Sequence, residues 1–232
     1  MLPNLSSRVL IGIFALILIA ALSLVSLSPP PARALSPSLL ISEVYYDPLG
    51  TESDEEWIEV YNVATSTAVA LSSYKIGDEE EQGGGEGMYR FPEGASIAPG
   101  GVIVVARKAT GFRALYGFNP HFEFSNSDPE VPDMVRYTAW ASGTIALGNT
   151  GDEVLLLDET DTPVDVVVYG TGSYTGVVPH ATIPQGHSLE RFPPDQDTDD
   201  CSLDFIDQPR PNPGRVGRWI YLPIVVRNAS TR

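Results

Sequence analysis

The stretch Glu56-Trp57-Ile58-Glu59-Val60-Tyr61-Asn62 limits the fold more than any other part of the chain. Successive side chains of a strand point to opposite faces, so strict alternation puts Ile58 and Val60 on one side and Trp57, Glu59 and Tyr61 on the other. The pattern predicts a half-buried strand, with Asn62 able to turn the chain where it ends. Downstream it is answered by Leu71-Ser72-Ser73-Tyr74-Lys75-Ile76-Gly77-Asp78.

The other segments follow the same logic. Leu39 to Tyr46 reads as a first strand stopped by Asp47-Pro48 and Gly50, and a third strand is predicted near Val69 to Ile76. Asp78 to Gly87, with its Glu79-Glu80-Glu81 and Gly83-Gly84-Gly85 runs, reads as a charged, mobile loop. Val102 to Ala106 is a continuous apolar run between turn signals, hence a fully buried strand. Ala109 to Tyr116 is the one helix, with Phe112, Leu115 and Tyr116 spaced to pin it to the body. Residues 119–140 are irregular and carry His121, Phe122, Phe124 and Trp140. Glu153–Leu157 and Val164–Tyr169 form a strand pair across an Asp158–Pro163 connection. A Gly/Pro/Thr loop at 170–186 leads to a short closing strand, Ser188–Phe192. About eight short strands, one helix and frequent turns predict an all-β sandwich and exclude an α/β enzyme core.

Charge is unevenly spread. All thirty acidic residues lie within positions 35–208, together with seven basic ones, whereas residues 209–232 hold five arginines and no acid. A body this acidic repels phosphates, which excludes nucleic acid and favours cations or a basic partner. Cys201 is the single cysteine, so no intramolecular disulfide forms; with no neighbouring base or cation to activate it, it reads as an unreactive loop residue. At the N-terminus Arg8 precedes an uncharged, largely apolar run from Val9 to Leu27, then Pro29-Pro30-Pro31 and Ala32-Arg33-Ala34. That order predicts a secretory signal cleaved after Ala34. The run is also long enough to span a bilayer, so an uncleaved anchor is the alternative, and it is the one route to a membrane. In both cases the remainder lies outside the cell.

Taken in order, these pieces resemble the lamin tail domain family. The resemblance rests on Ile41–Tyr46, Glu56–Asn62, Leu71–Asp78, the Pro99-Gly100-Gly101 turn and Leu147-Gly148-Asn149-Thr150-Gly151-Asp152-Glu153-Val154. It continues through Val164-Asp165, Tyr169-Gly170, Gly186–Arg191, Asp204-Phe205 and Pro211-Asn212-Pro213-Gly214. Departures are Ser73-Tyr74 where Gly-Trp is commoner, the long 109–140 segment and the Gly-rich loop. The resemblance implies an immunoglobulin-like β-sandwich. It brings no catalytic residues, and bacterial members are thought to bind or tether outside the cell.

Reactive chemistry has little support in the residues. His180 and His187 share a loop region, His121 is remote, and neither G-x-S-x-G nor H-E-x-x-H occurs. Glu43 and Glu59 can approach across paired strands, where such residues usually line a solvated face. Asp195, Asp197 and Asp199 offer oxygen ligands at alternate positions, as calcium requires. Asp200 and Ile206, however, stand where an EF-hand needs Gly and Glu. Asp152, Asp158 and Asp161 are weaker candidates. Trp57, Tyr61 and Trp140 are candidate contact aromatics for a protein or carbohydrate ligand, with a role in covering the core as the competing reading for the first two. The apolar segment Trp219–Val226, flanked by arginines, reads as an added edge strand or as an envelope-attachment tail.

The resulting expectation is a signal or anchor at 1–34, a sandwich at 35–208 and a basic, apolar tail at 209–232. Its function is that of a non-enzymatic, secreted or cell-surface module that binds or tethers, using loops 78–87, 119–140 and 170–186. The alternatives are an accessory domain of a secreted nuclease or phosphohydrolase system and a calcium-stabilised surface component. No other cofactor is expected, and the oligomeric state is open.

Overall fold

Residues 38–217 are described in the computed structural model; the expected signal or anchor and the Trp219–Val226 segment lie outside them. In chain order the elements are β1 (Leu39–Tyr45), α1 (Glu52–Glu55), β2 (Trp57–Asn62), β3 (Val69–Ala70), β4 (Lys75–Gly77), β5 (Met88–Arg90), β6 (Ser96–Ile97) and β7 (Val102–Ala106). They continue as α2 (Ala109–Tyr116), β8 (Phe122–Glu123), β9 (Val135–Arg136), β10 (Gly151–Leu157), β11 (Pro163–Gly170), β12 (Ser188–Arg191), α3 (Cys201–Asp204) and β13 (Phe205–Gln208). A first sheet has the order β13-β12-β1-β2-β7-β8, a second β11-β10-β4-β5-β9, and β3 pairs with β6 apart from both.

The two large sheets bury their facing side chains in one core. Ile41, Val44, Ile58, Val60 and Val105 come from the first, and Ile76, Tyr89, Val154, Leu156, Val167 and Tyr169 from the second. Ile58 and Val60 point inward, as alternation requires. The opposite side of β2 is buried too, which corrects the half-buried expectation: Trp57, Glu59 and Tyr61 are 1, 0 and 7 % exposed. Two pieces cover that face. Helix α2 sets Phe112 and Tyr116 edge-on against Trp57, whose Nε1 donates to the Tyr116 hydroxyl. The chain beyond β13 covers Glu59, to which Gly214 N donates. Asn62 does turn the chain, its amide donating to Thr67 O and Ala98 O while its oxygen accepts from Ala64 N.

The single strand predicted at 69–76 is split. Tyr74 N–H donates to Leu71 O in a tight turn, so β3 leaves for β6 while β4 enters the second sheet between β10 and β5. The 119–140 segment spans the open side of the sandwich, because β8 runs parallel to β7 in one sheet and β9 pairs with β5 in the other. Its anchor is Glu123, fully buried, whose carboxylate accepts from the backbone amides of Ala109, Ser127 and Asp128.

Beyond apolar packing, one polar group joins the sheets. Arg191 on β12 donates two Nη2 hydrogen bonds to Asp165 on β11, at 2.8 and 2.7 Å, and its Nε donates to Ile41 O on β1. Asp165 also accepts from Ile41 N, and the guanidinium lies over the Phe205 ring. Both side chains are 1 % exposed. Near by, Cys201 opens α3 instead of lying in a loop; its sulfur accepts from Val168 N on β11, and burial pushes the thiol up to about 11. Removing one member of a buried ion pair leaves the other charge uncompensated. Arg191→Met and Asp165→Ala should therefore each lower unfolding stability by about 3–5 kcal/mol, read as a fall in urea midpoint. The double variant should recover part of that loss.

Candidate functional site

Two groups of acids stand out, and they serve different ends. The first is a row on the outer face of the first sheet. Glu43 on β1 is in register with Glu59 on β2 and Glu190 on β12, and the three are 0, 0 and 4 % exposed. A shift of register at Ser42 lets its hydroxyl donate to Glu59 as well. Such residues usually line a solvated face; here the segment after β13 returns across them as a strap. Asn212 N donates to Glu43 (3.1 Å) and Gly214 N to Glu59 (2.5 Å). Ser188 Oγ donates to Glu43 and Gln208 Nε2 to Glu190. Burial pushes Glu43 up to about 8 and Glu59 to about 7, against the opposing pull of these donors. With their oxygens engaged under backbone, these groups fasten the chain and present no open acid–base pair.

The second group lies on the outer face of the second sheet, where three connections meet. The 78–87 loop, expected to be mobile, is tied down. Asp78 accepts from Gly87 N and Ala146 N, Glu79 accepts from Glu86 N, and Trp140 Nε1 donates to Glu79 O. Gly83 N donates to Trp140 O in return. Burial raises Asp78 to about 6. Beside this loop opens a cavity of about 440 Å³ lined by Glu80, Glu81, Ser173, Tyr174 and Thr175. The carboxylate oxygens of Glu80, Glu86 and Glu153 lie within 4.8 Å of one another, the one such convergence among the described residues. Burial, then the Asp152 and Glu80 charges, push Glu153 to about 8; Glu86 reaches about 7, again through burial first and Asp152 next. A wall this acidic suits a cation or a cationic side chain, and three carboxylates are donors for a hard metal ion.

The residues singled out by sequence are dispersed. Asp197 faces Arg191 at 3.4 Å and accepts from Asp199 N, so the 195–200 turn wraps the buried guanidinium. Asp199 is exposed with a left-handed backbone. Asp195, Asp197 and Asp199 are not among the converging carboxylates. Asp158 closes the β10–β11 turn by accepting from the Thr160 and Thr162 amides, Asp161 pairs with Lys75, and Asp152 accepts from Gly148 N. Trp57 and Tyr61 are enclosed, Trp57 being packed between Tyr45 and α2. Trp140 is half-buried beside the acidic cavity. The histidines are engaged separately: His121 Nδ1 accepts from Val104 N, His187 meets Asp207 at 2.6 Å and His180 contacts Ala181 O. Sequence reasoning missed Glu153, although alternation places it on the same side as Leu155 and Leu157, which are buried.

Raised carboxyls have a consequence for pH. Glu43, Glu59 and Glu153 hold their protons to about pH 7–8 in the fold but release them near 4.3 when unfolded. The folded state binds more protons across that window, so their contribution is full below about pH 4.3 and is lost as pH rises toward 8. Asp54, held low by Lys108, acts only at the acid extreme. The urea midpoint should therefore be higher at pH 5.5 than at pH 8.5, and Glu43→Gln should flatten the difference.

A family model described as Lamin Tail Domain matches residues 32–171. No curated protein matches the chain. The matched stretch ends at β11, while β12 and β13 lie beyond it and complete the first sheet. A two-sheet sandwich and a match over more than half of the sequence lead to one conclusion: the chain belongs to the lamin tail domain family, whose fold is immunoglobulin-like.

Proposed function

We propose that the chain is a non-catalytic extracellular module that binds or tethers, and that it recognises a basic protein segment at the acidic cavity of the second sheet. The observation that carries this reading is a cavity lined by two separate connections, the 78–87 loop and the start of the 170–186 loop, with Trp140 at the end of the 119–140 segment hydrogen-bonded to the first of them. Tyr174 and the half-buried Trp140 add aromatic surface, and Glu80 and Glu81 supply charge. The sheet scaffold holds the loops by backbone hydrogen bonds, the arrangement in which loops commonly carry recognition. Export is the expectation from residues 1–34, outside the described region. The absence of catalysis is supported by the family's immunoglobulin-like character and by the engagement of the buried acids with backbone donors.

A peptide rich in lysine and arginine, titrated by calorimetry, should bind with an affinity that weakens as salt rises. Glu80→Gln with Glu81→Gln should reduce that affinity about tenfold or more, and Tyr174→Ala should also weaken it. Binding unchanged by these substitutions, or tighter binding of a neutral oligosaccharide, contradicts the proposal. The convergence of Glu80, Glu86 and Glu153 favours a second reading, a calcium-stabilised surface component. In that case calcium added after chelator treatment raises the melting temperature, and Glu153→Gln removes the rise.

A further inference from the structure

β11 is a terminal strand of the second sheet, so β10 is its neighbour on one side only. The two halves of its other side differ. Along the second half the chain returns beside it: Gly170 N donates to His180 O, and His180 N donates to Val168 O. Val168 N then donates to the Cys201 sulfur. Among the described residues, bridges to this side of β11 reach no further back than Tyr169.

The first half has no such cover. The Cys201 thiol approaches Val166 O at 3.8 Å, which shows that Val166 turns its carbonyl away from β10. In an antiparallel strand a residue's N–H and C=O face the same neighbour, so the Val166 amide points outward too. Val164 has no register partner in β10, because the pairing slips by one between Leu156 and Leu157. Pro163, which lacks a donor, begins the strand, and with the bulge it limits the unpaired ladder to Val164–Val166. A groove of about 160 Å³ lies there, lined by Pro163, Val164, Val166, Tyr174, Val177 and Asp199 among others.

This groove adjoins the acidic cavity, since Tyr174 and Thr175 line both. The ridge between them is held in shape. Val177 N donates to Tyr174 O across a turn in which Gly176 has a φ of 91°, and Tyr174 and Val166 both pack on the cluster around Leu155 and Leu157. Charge has one sign along the way, with Glu80 and Glu81 in the cavity and the exposed Asp199 at the groove. Cationic side chains suit both, and an unpaired strand edge takes an extended backbone.

We propose that the basic segment runs from the acidic cavity over Tyr174 and Thr175 and adds to the start of β11 as a short strand, hydrogen-bonded to Val164 and Val166. The proposal rests on the reading of that cavity as a site for a basic protein segment, and it names how the segment's backbone is held.

The probe is a peptide that alternates lysine with valine, set against the same peptide with N-methylated backbone amides, which keeps the charge and removes the donors. Calorimetry with the full chain should show the methylated peptide binding about tenfold more weakly. Amide exchange followed by NMR should show Val166 slowed at least about fivefold by the plain peptide and unchanged by the methylated one. Val166→Pro, a residue tolerated at an edge, should weaken the plain peptide to a similar extent. Equal affinity of the two peptides, lost in both on Glu80→Gln with Glu81→Gln, overturns strand addition and leaves the cavity reading standing. Absence of binding, or binding indifferent to those glutamates, overturns both. Slow Val166 exchange that needs no peptide and grows with protein concentration puts a second copy on this edge, and it overturns the proposal as well.

Discussion

A buried backbone N–H left without an acceptor costs about 1–3 kcal/mol, and this chain leaves its strands often enough to meet that cost repeatedly. Several strands are only two residues long, and long irregular stretches run between them. Buried carboxylates supply the missing acceptors. Glu123 holds the N-terminus of α2 and the turn after β8, Asp78 holds Gly87 and Ala146, Asp152 holds Gly148, and Asp165 holds Ile41. Glu43 and Glu59 do the same for the strap. Glu123, Asp152, Glu43 and Glu59 each join an irregular segment to a strand, Asp165 joins two strands of different sheets, and Asp78 ties one connection to another.

The arrangement has an energetic cost. A carboxylate in a low-dielectric interior loses hydration, so most of these groups are pushed toward the protonated form unless a cation compensates. Asp165 has Arg191 beside it and Glu56 has Arg107 at 2.7 Å, though burial still leaves Asp165 near 6 and Glu56 near 7. Glu43, Glu59 and Glu190 have hydroxyl, amide and backbone donors. The strong acidity of the chain is thus only partly a property of its shell; a share of it is structural and inside.

What the sequence made legible was whatever alternation and turn chemistry control locally. Ile58 and Val60 inward, the buried β7, the β10–β11 pair and the helix around Phe112 all follow from periods of two and 3.6 residues. The outer face of β2 was illegible because its cover comes from α2, with Tyr116 59 residues beyond Trp57, and from a strap 155 residues away. The 69–76 segment was misread because one turn at Leu71–Tyr74 sends its halves to different sheets. Arg191 and Asp165 sit in plain strand patterns, and only the stacking of the two sheets brings them together. The acidic cavity was half legible: the acidic 78–87 run is plain in the sequence, but Trp140 reaching back to Glu79 is a contact between residues 61 apart in the chain.

The engaged acids beneath the strap and the converging acids at the loop cavity therefore lie on the outer faces of different sheets. The account depends on Glu43 and Glu59 being enclosed under backbone and not solvated on a sheet surface. Carbon-13 titration of side-chain carboxyls in the folded chain measures this directly. It predicts that Glu59 titrates near 7 and Glu43 near 8. Both titrating between about 4 and 4.5, as solvated glutamates do, would contradict it.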